Sequence, residues 1–206
     1  MRTILFVCSL LLASQGWATD APKMPVSKLC TSIDKISAAP QVRIDTNMGS
    51  IQLELNTLAA SKTVENFLCY AKDGFYNGTI FHRVINNFMI QGGGFSQNFM
   101  QKSTRAPVAN EAFNGLRNDR GSIAMARTMD PHSATAQFFI NTDNNDALNF
   151  TQKTTQGWGY TVFGKVTAGM DVVERIQNLT TGTGGPFAQD VPQPMVIINK
   201  VEIIKE

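Results

Sequence analysis

Histidine occurs only twice in this chain, at His82 and His132, and that scarcity removes most acid–base and metal chemistry at the outset. Neither histidine stands in an H-x-x-x-H spacing, and the three cysteines, Cys8, Cys30 and Cys69, form no C-x-x-C pair. "DPHSATAQ" sets Ser133 beside His132, but adjacent side chains rarely face each other, and no G-x-S-x-G elbow is present. Gly92-Gly93-Gly94 lacks the Lys-Ser/Thr of a phosphate loop, and the dinucleotide fingerprint is absent. Charge is also sparse. Charged residues are 17% of the chain, below the ~25% of an average soluble domain, and the formal net charge is only +2. Such a balance gives no electrostatic case for nucleic acid or an anionic membrane. Internal repeats and low-complexity tracts are missing as well.

What is present is apolar. Hydrophobic residues make up 43% of 206 residues, and phenylalanine dominates the aromatics with 13 against 2 Trp and 3 Tyr. This suits one domain with a sizeable core. The N-terminus reads separately. After Met1-Arg2-Thr3 comes "ILFVCSLLLA", an apolar run of about ten residues, the length of a signal h-region and short of the ~20 that span a bilayer. Small residues Gly16 and Ala18 follow, so residues 1–18 read as a signal peptide cleaved near Ala18 and the destination as periplasmic or secreted. No later segment is able to cross a membrane, so no stable insertion is expected. Residues 19–40 form an extension with three prolines, and the main domain runs over 41–206. Cys8 leaves with the signal. Cys30 and Cys69 remain as an even pair in an oxidising compartment, either disulfide-bonded or free and distant from one another.

Along the domain, period-2 alternation dominates. Val42 and Ile44, then Ile51, Leu53 and Leu55, flank the turn Asn47-Met48-Gly49 and read as a hairpin. "SKTVENFLCYAKDG" reads as a helix with Ser61 as its cap, Glu65 near its start and Gly74 at its end; Val64, Phe67, Leu68 and Ala71 form its apolar stripe. Further strands are expected at 79–85, 89–91, 122–126, 138–142, 161–166 and 196–204, with a second helix over 168–179 marked by Met170, Val173, Ile176 and Gln177. Long polar loops are expected at 96–120, 127–136, 143–159 and 180–195. "TTGTGG" in the last reads as a flexible loop, and the triple glycine at 92–94 as a bend or close backbone approach. Many short antiparallel strands with two helices imply a mainly β fold, a closed or nearly closed barrel.

One stretch stands out. "FHRVINNFMIQGGGF", residues 81–95, sets Arg83 among Phe81, Val84, Ile85, Phe88, Met89 and Ile90 with no acid to pair with it. His82, its neighbour on a strand, is expected to point to the opposite face. With Gln91 and Gln137 and many apolar side chains, the available chemistry suits binding an extended peptide, or catalysing a reaction that breaks no bonds.

"NFLCYAKDGFYNGTIFHRVINNFMIQGGGF", "GSIAMARTMDPHSATAQFFINT" and "GYTVFGKVTAGMDVVERI" resemble the cyclophilins, peptidyl-prolyl cis–trans isomerases, over 41–204. With "QGWGY" the chain looks most like the small bacterial single-domain members. The resemblance implies a closed eight-stranded antiparallel barrel capped by two α-helices, with the active groove on its outer surface. It implies isomerisation of X-Pro bonds in unfolded or exported polypeptides by a monomer without cofactor, metal or nucleic acid. The alternative is a proline-peptide-binding chaperone module with little turnover. By position, Arg83 matches the catalytic arginine and Gln91 the glutamine that orients it. Phe88, Met89, Phe139 and Leu148 match the proline pocket, Ala126 its rim and Gln137 a second groove glutamine. Arg127 matches a position that usually offers backbone groups, so its side chain matters less. Without the resemblance, Phe88, Met89 and Phe139 read as core. Two positions depart from the pattern: Ala147 replaces an aromatic beside the pocket, and Tyr160 replaces a histidine. The first implies weak cyclosporin binding. If Asn86-Asn87-Phe88 forms a three-residue turn, Ile85 pairs with Met89 and Arg83 lies opposite Gln91; a two-residue turn sets Arg83 against Ile90 instead. The first register is expected, because it gives Arg83 a neutral neighbour and leaves its charge free.

Overall fold

The computed structural model describes residues 37–205. Ten strands and two α-helices follow in chain order: β1 (Gln41–Thr46), β2 (Gly49–Leu55), α1 (Ser61–Lys72), β3 (Thr79–Ile85), β4 (Met89–Ser96), β5 (Ser122–Met125), β6 (Phe138–Asn141), β7 (Val162–Ala168), α2 (Met170–Gln177), β8 (Thr180–Gly184), β9 (Phe187–Gln193) and β10 (Val196–Lys205). Eight strands close a barrel in the order β1-β10-β3-β4-β6-β5-β7-β2, and β1 pairs with β2 to complete the ring. Every pairing in the barrel is antiparallel. This is the mainly β, eight-stranded barrel with two helices that the sequence implied.

Closure leaves no free edge and gives each strand an inner and an outer face. Inside, Ile44, Leu53, Phe81, Ile90, Phe138 and Phe163 are fully buried in one cluster. The apolar stripes of α1 and α2 join it through Val64, Phe67 and Leu68 and through Val172, Val173 and Ile176. Phe67 anchors its aromatic centre, edge-on to Phe138 at 5.6 Å and tilted against Tyr76 at 5.1 Å and Phe163 at 5.3 Å. A second apolar cluster lies outside the wall: Met89, Ala124, Phe139 and Val162, with Ile85, Phe88, Leu116, Ala126, Leu148 and Tyr160 against them. Several outward residues of β4 to β7 are therefore apolar too. That is why "FFIN" and "SIAM" are buried at every position and show no polar alternation.

Three local expectations are corrected. Segment 180–195 is not a loop: β8 and β9 form a two-stranded sheet of their own. The glycines of "TTGTGG" serve close approach. Gly185 takes φ +50°, and a Cβ there would sit 2.3 Å from the Phe99 ring. Ser61 does not cap α1. The cap residue is Ala60, without a side-chain bond. The first free N–H groups are met from far away, by the Glu111 carboxylate, which accepts from Lys62 N–H at 3.2 Å, Thr63 N–H at 2.9 Å and the Thr63 hydroxyl at 2.7 Å. An acid at a helix N-terminus satisfies both the orphan donors and the dipole. The third is α2, two residues shorter than expected at each end and burying Val172 in place of Gln177. Gly74 does end α1, in the left-handed region at φ +64°. Cys69 is buried and disulfide-bonded; Cys30, its expected partner, and the expected signal peptide lie outside the described residues.

Candidate active site

The outer cluster owes its shape to strand register. Arg83 on β3 stands opposite Gln91 on β4, and Ile85 opposite Met89, so Asn86-Asn87-Phe88 is the three-residue turn. Asn87 supplies the left-handed residue at φ +54°. Helix α2 holds this turn in place: the Gln177 side-chain carbonyl accepts from Asn87 N–H at 3.0 Å, and the Asn86 amide donates to Asn178 Oδ1 at 2.7 Å. Gln91 in turn faces Phe139 on β6, Phe139 faces Ala124 on β5, and Ala124 faces Val162 on β7. One row of side chains thus crosses five strands on the outer wall, from a guanidinium through an amide to an aromatic ring.

Above that row opens a cleft of about 130 Å³ lined by Arg83, Phe88, Met89, Gln91, Ala126, Arg127, Phe139, Leu148 and Tyr160. Met89 and Phe139 form its floor, 2% and 4% exposed. Tyr160 stands edge-on to Phe139 at 5.6 Å, and the Arg127 guanidinium lies over the Tyr160 ring at 4.7 Å. Of the residues expected at the site, Gln137 alone is not in the lining. It is half-buried beside the cleft, where its side-chain carbonyl accepts from Gln91 Nε2 at 3.0 Å. Gly94 makes room for it, since a Cβ there would meet Gln137 Cγ at 2.4 Å.

Three details differ from expectation, at Arg83, Gln91 and His82. Arg83 is not without an acid: Asp190 Oδ2 of β9 lies 3.5 Å from its Nε. Gln91 spends its amide N–H on Gln137, and among the described residues makes no hydrogen bond to Arg83. The Arg127 side chain is tied to the neighbouring loops, donating from Nε to Gly159 O at 2.9 Å and from Nη1 to Thr128 O at 2.8 Å. His82 is not turned away from Arg83. A register shift between Phe81 and Arg83 sets two residues of β3 against one step of β4. This bulge brings both side chains to β9, His82 against the Phe187 ring at 5.2 Å and Arg83 against Asp190. Burial pushes the His82 imidazole down to about 4, with the nearby Arg83 charge adding to the effect. His132, by contrast, is a structural loop residue. It is exposed, its Nδ1 accepts from Asn110 N–H at 3.1 Å, and its ring meets Trp158 edge-on.

An amide network supports the cleft from below. Asn145 donates to Phe88 O at 2.8 Å and Asn141 Oδ1 at 2.7 Å; Asn141 donates to Asn118 Oδ1 and Ser122 Oγ; Asn118 donates to Leu148 O at 3.0 Å. The chain at Phe88 and Leu148, on two separate loops, is thereby tied to β6. The density of asparagine in "RNDRG" and "NTDNND" was the available signal for this network. Ala147 is exposed beside Leu148 in the same 3-10 turn. Among the described residues no group of three or more His, Cys, Asp or Glu is placed to hold a metal ion, and no helix is long and apolar enough to cross a membrane.

The fold and cleft have close relatives. Residues 41–203 match the family model for cyclophilin-type peptidyl-prolyl cis-trans isomerase/CLD. A peptidyl-prolyl cis-trans isomerase of Streptomyces antibioticus is 59% identical over 163 residues, covering 79% of this chain and 98% of the relative. Peptidyl-prolyl cis-trans isomerase B of Escherichia coli K12 is 56% identical over 162 residues, again 79% of this chain and 98% of the relative. Among solved structures, a cyclophilin-type isomerase of Cryptosporidium parvum in the presence of the dipeptide Ala-Pro matches at a TM-score of 0.65 and 29% identity, covering 81% of this chain and 99% of that one. With more than three quarters of the chain inside the family model and these identities, the chain belongs to the cyclophilin-type peptidyl-prolyl cis–trans isomerases.

Proposed function

We propose that the isomerase works through Arg83 on the outer cleft, on X-Pro segments of unfolded or exported polypeptides. The observation that supports this reading is the row Arg83–Gln91–Phe139, which sets a half-exposed guanidinium at the edge of a cleft with an apolar floor, sized for a small ring. Rotation about an amide meets a barrier of ~18–20 kcal/mol, which at its upper end allows roughly one event per hundred seconds. Resonance alone creates that barrier, so no bond need break. The protein has only to bind the twisted amide better than either planar form.

Twisting localises the lone pair on the prolyl nitrogen. Only then does that nitrogen accept a hydrogen bond from the guanidinium. A charge-assisted bond of this kind contributes about 1.5–3 kcal/mol, or about one to two powers of ten in rate. Phe88, Met89, Phe139 and Leu148 grip the ring, Ala126 bounds the rim, and Tyr160 under Arg127 closes one wall. The Gln91–Gln137 pair presents a polar edge toward the flanking peptide. Holding the ring while the preceding residue rotates supplies the rest by orientation.

The same reading places the enzyme in the periplasm or outside the cell after loss of residues 1–18, acting as a monomer, with Cys69 bonded to Cys30. With Ala147 where an aromatic would flank the pocket, cyclosporin inhibits weakly and Ala147→Trp strengthens it; tight inhibition of the unmodified protein contradicts this. The primary test follows cis–trans exchange of a proline tetrapeptide by NMR while titrating the protein. Exchange accelerated at substoichiometric protein supports turnover in the cleft. Shifted peptide resonances without faster exchange would leave a proline-binding module.

A further inference from the structure

The β8–β9 hairpin stands apart from the barrel sheet, yet it reaches the reactive edge of the cleft. It is seated by aromatic contacts. Phe187 packs on His82 at 5.2 Å, edge-on to Phe95 at 5.0 Å and against Phe99 at 6.2 Å. Three residues further along β9, Asp190 adopts φ +66°, a region that aspartate tolerates better than most residues. This turns its carboxylate toward β3. Asp190 Oδ2 lies 3.5 Å from Arg83 Nε, and Gln189 Nε2 donates to the same oxygen at 3.4 Å.

The point of attachment matters. The carboxylate meets Nε, the nitrogen nearest the aliphatic stem. Among the described residues, neither terminal nitrogen of Arg83 has a hydrogen-bond partner. A long side chain that is 44% exposed would otherwise sample many rotamers. An ion pair at Nε, without a hydrogen bond, biases the planar fork in advance and leaves its outer N–H groups for a substrate. A carboxylate bound to both terminal nitrogens would instead compete with the prolyl nitrogen.

We infer that Asp190 is a positioning residue for Arg83, and that the β8–β9 hairpin is an arm of the active site. The inference rests on the reading of Arg83 as donor to the prolyl nitrogen. It also answers the puzzle of an arginine in an apolar stretch with no acid nearby in sequence: the acid arrives from 107 residues further along the chain, the interval from 83 to 190.

The test uses the full chain and two variants that both accept a left-handed backbone. Asp190→Gly removes the carboxylate with its side chain, while Asp190→Asn removes only its charge. Steady-state isomerisation of a proline peptide gives kcat and KM separately. Asp190→Gly should lower kcat about three- to tenfold with KM unchanged, in the lower part of the range for directly coupled residues, and Asp190→Asn should fall between Asp190→Gly and the parent. In an Arg83→Ala background, Asp190→Gly should then have no further effect. A kcat equal to or above the parent's in Asp190→Gly, or losses that multiply in the double variant, overturns the positioning role. If Arg83→Ala keeps its full kcat, the reading of Arg83 itself has failed. If Arg83→Ala loses activity and Asp190→Gly does not, only the inference about Asp190 has failed.

Discussion

Phe138 and Phe139 are consecutive, identical in type and almost equally buried, at 0% and 4% exposure, yet they belong to different parts of the molecule. Phe138 points into the barrel, edge-on to Phe67, Tyr76 and Phe81. Phe139 points outward, onto Met89 and Tyr160, at the floor of the cleft. The inner ring is surrounded by a closed packing that nothing else can enter. The outer ring is covered on one side by protein and on the other by whatever occupies the cleft. Burial in the free protein therefore does not separate a core residue from a cleft residue here. The strand face does.

The largest expected effect breaks the inner side of this pair. Phe138→Ala should cost about 3–5 kcal/mol, because a closed core relaxes only partly around the lost ring. Phe139→Ala should cost roughly 2 kcal/mol, since water can enter the half-open site, while its kcat/KM falls far more than its stability. Chemical denaturation together with isomerisation kinetics checks both, and equal stability losses would erase the distinction.

The next effect concerns the seam between the barrel and the β8–β9 hairpin. His82 is held neutral, at about 4 in the fold against 6.5 for the free side chain. Between those values the unfolded chain binds the proton and the native state does not, so stability rises with pH across that window. The contribution is complete above about pH 6.5 and is lost as pH falls toward 4, a total of about 3 kcal/mol. Arg83, Phe95 and Phe187 lie against the imidazole. Denaturation midpoints measured from pH 7 to pH 4 should fall more steeply in the parent than in His82→Gln; parallel curves would show that the imidazole stays unlinked. The smallest effect is the gain in cyclosporin affinity from Ala147→Trp, which touches neither cluster's packing.

The same comparison explains what the sequence made legible. The inner face followed from alternation in β1 and β2 and from the stripe of α1, because one side of each element meets protein and the other meets water. The outer cleft did not follow from pattern. Phe139 and Met89 are as apolar as their inward neighbours, and only their place in motifs shared with a known family marked them as groove residues. The Arg83–Gln91 register was readable because turn length fixes pairing. Asp190 and Glu111 were not readable, and the asparagine-rich loops signalled a network without naming its partners. Each acts on an element distant in sequence, and no local spacing records which loop the barrel brings alongside. The bulge at His82 escaped for a related reason: alternation on β3 predicts opposite faces unless the extra residue is known in advance.

The central claim is that Arg83, at the end of the outer row, drives the reaction without supporting the fold. Its most direct test is Arg83→Ala, compared with the parent in both kcat/KM for a proline peptide and free energy of unfolding. The account predicts that kcat/KM falls about ten- to hundredfold, the rate equivalent of one charge-assisted hydrogen bond, while the unfolding free energy is unchanged within about 0.5 kcal/mol. Full kcat/KM in Arg83→Ala, or a rate loss that only tracks a loss of stability, would contradict it.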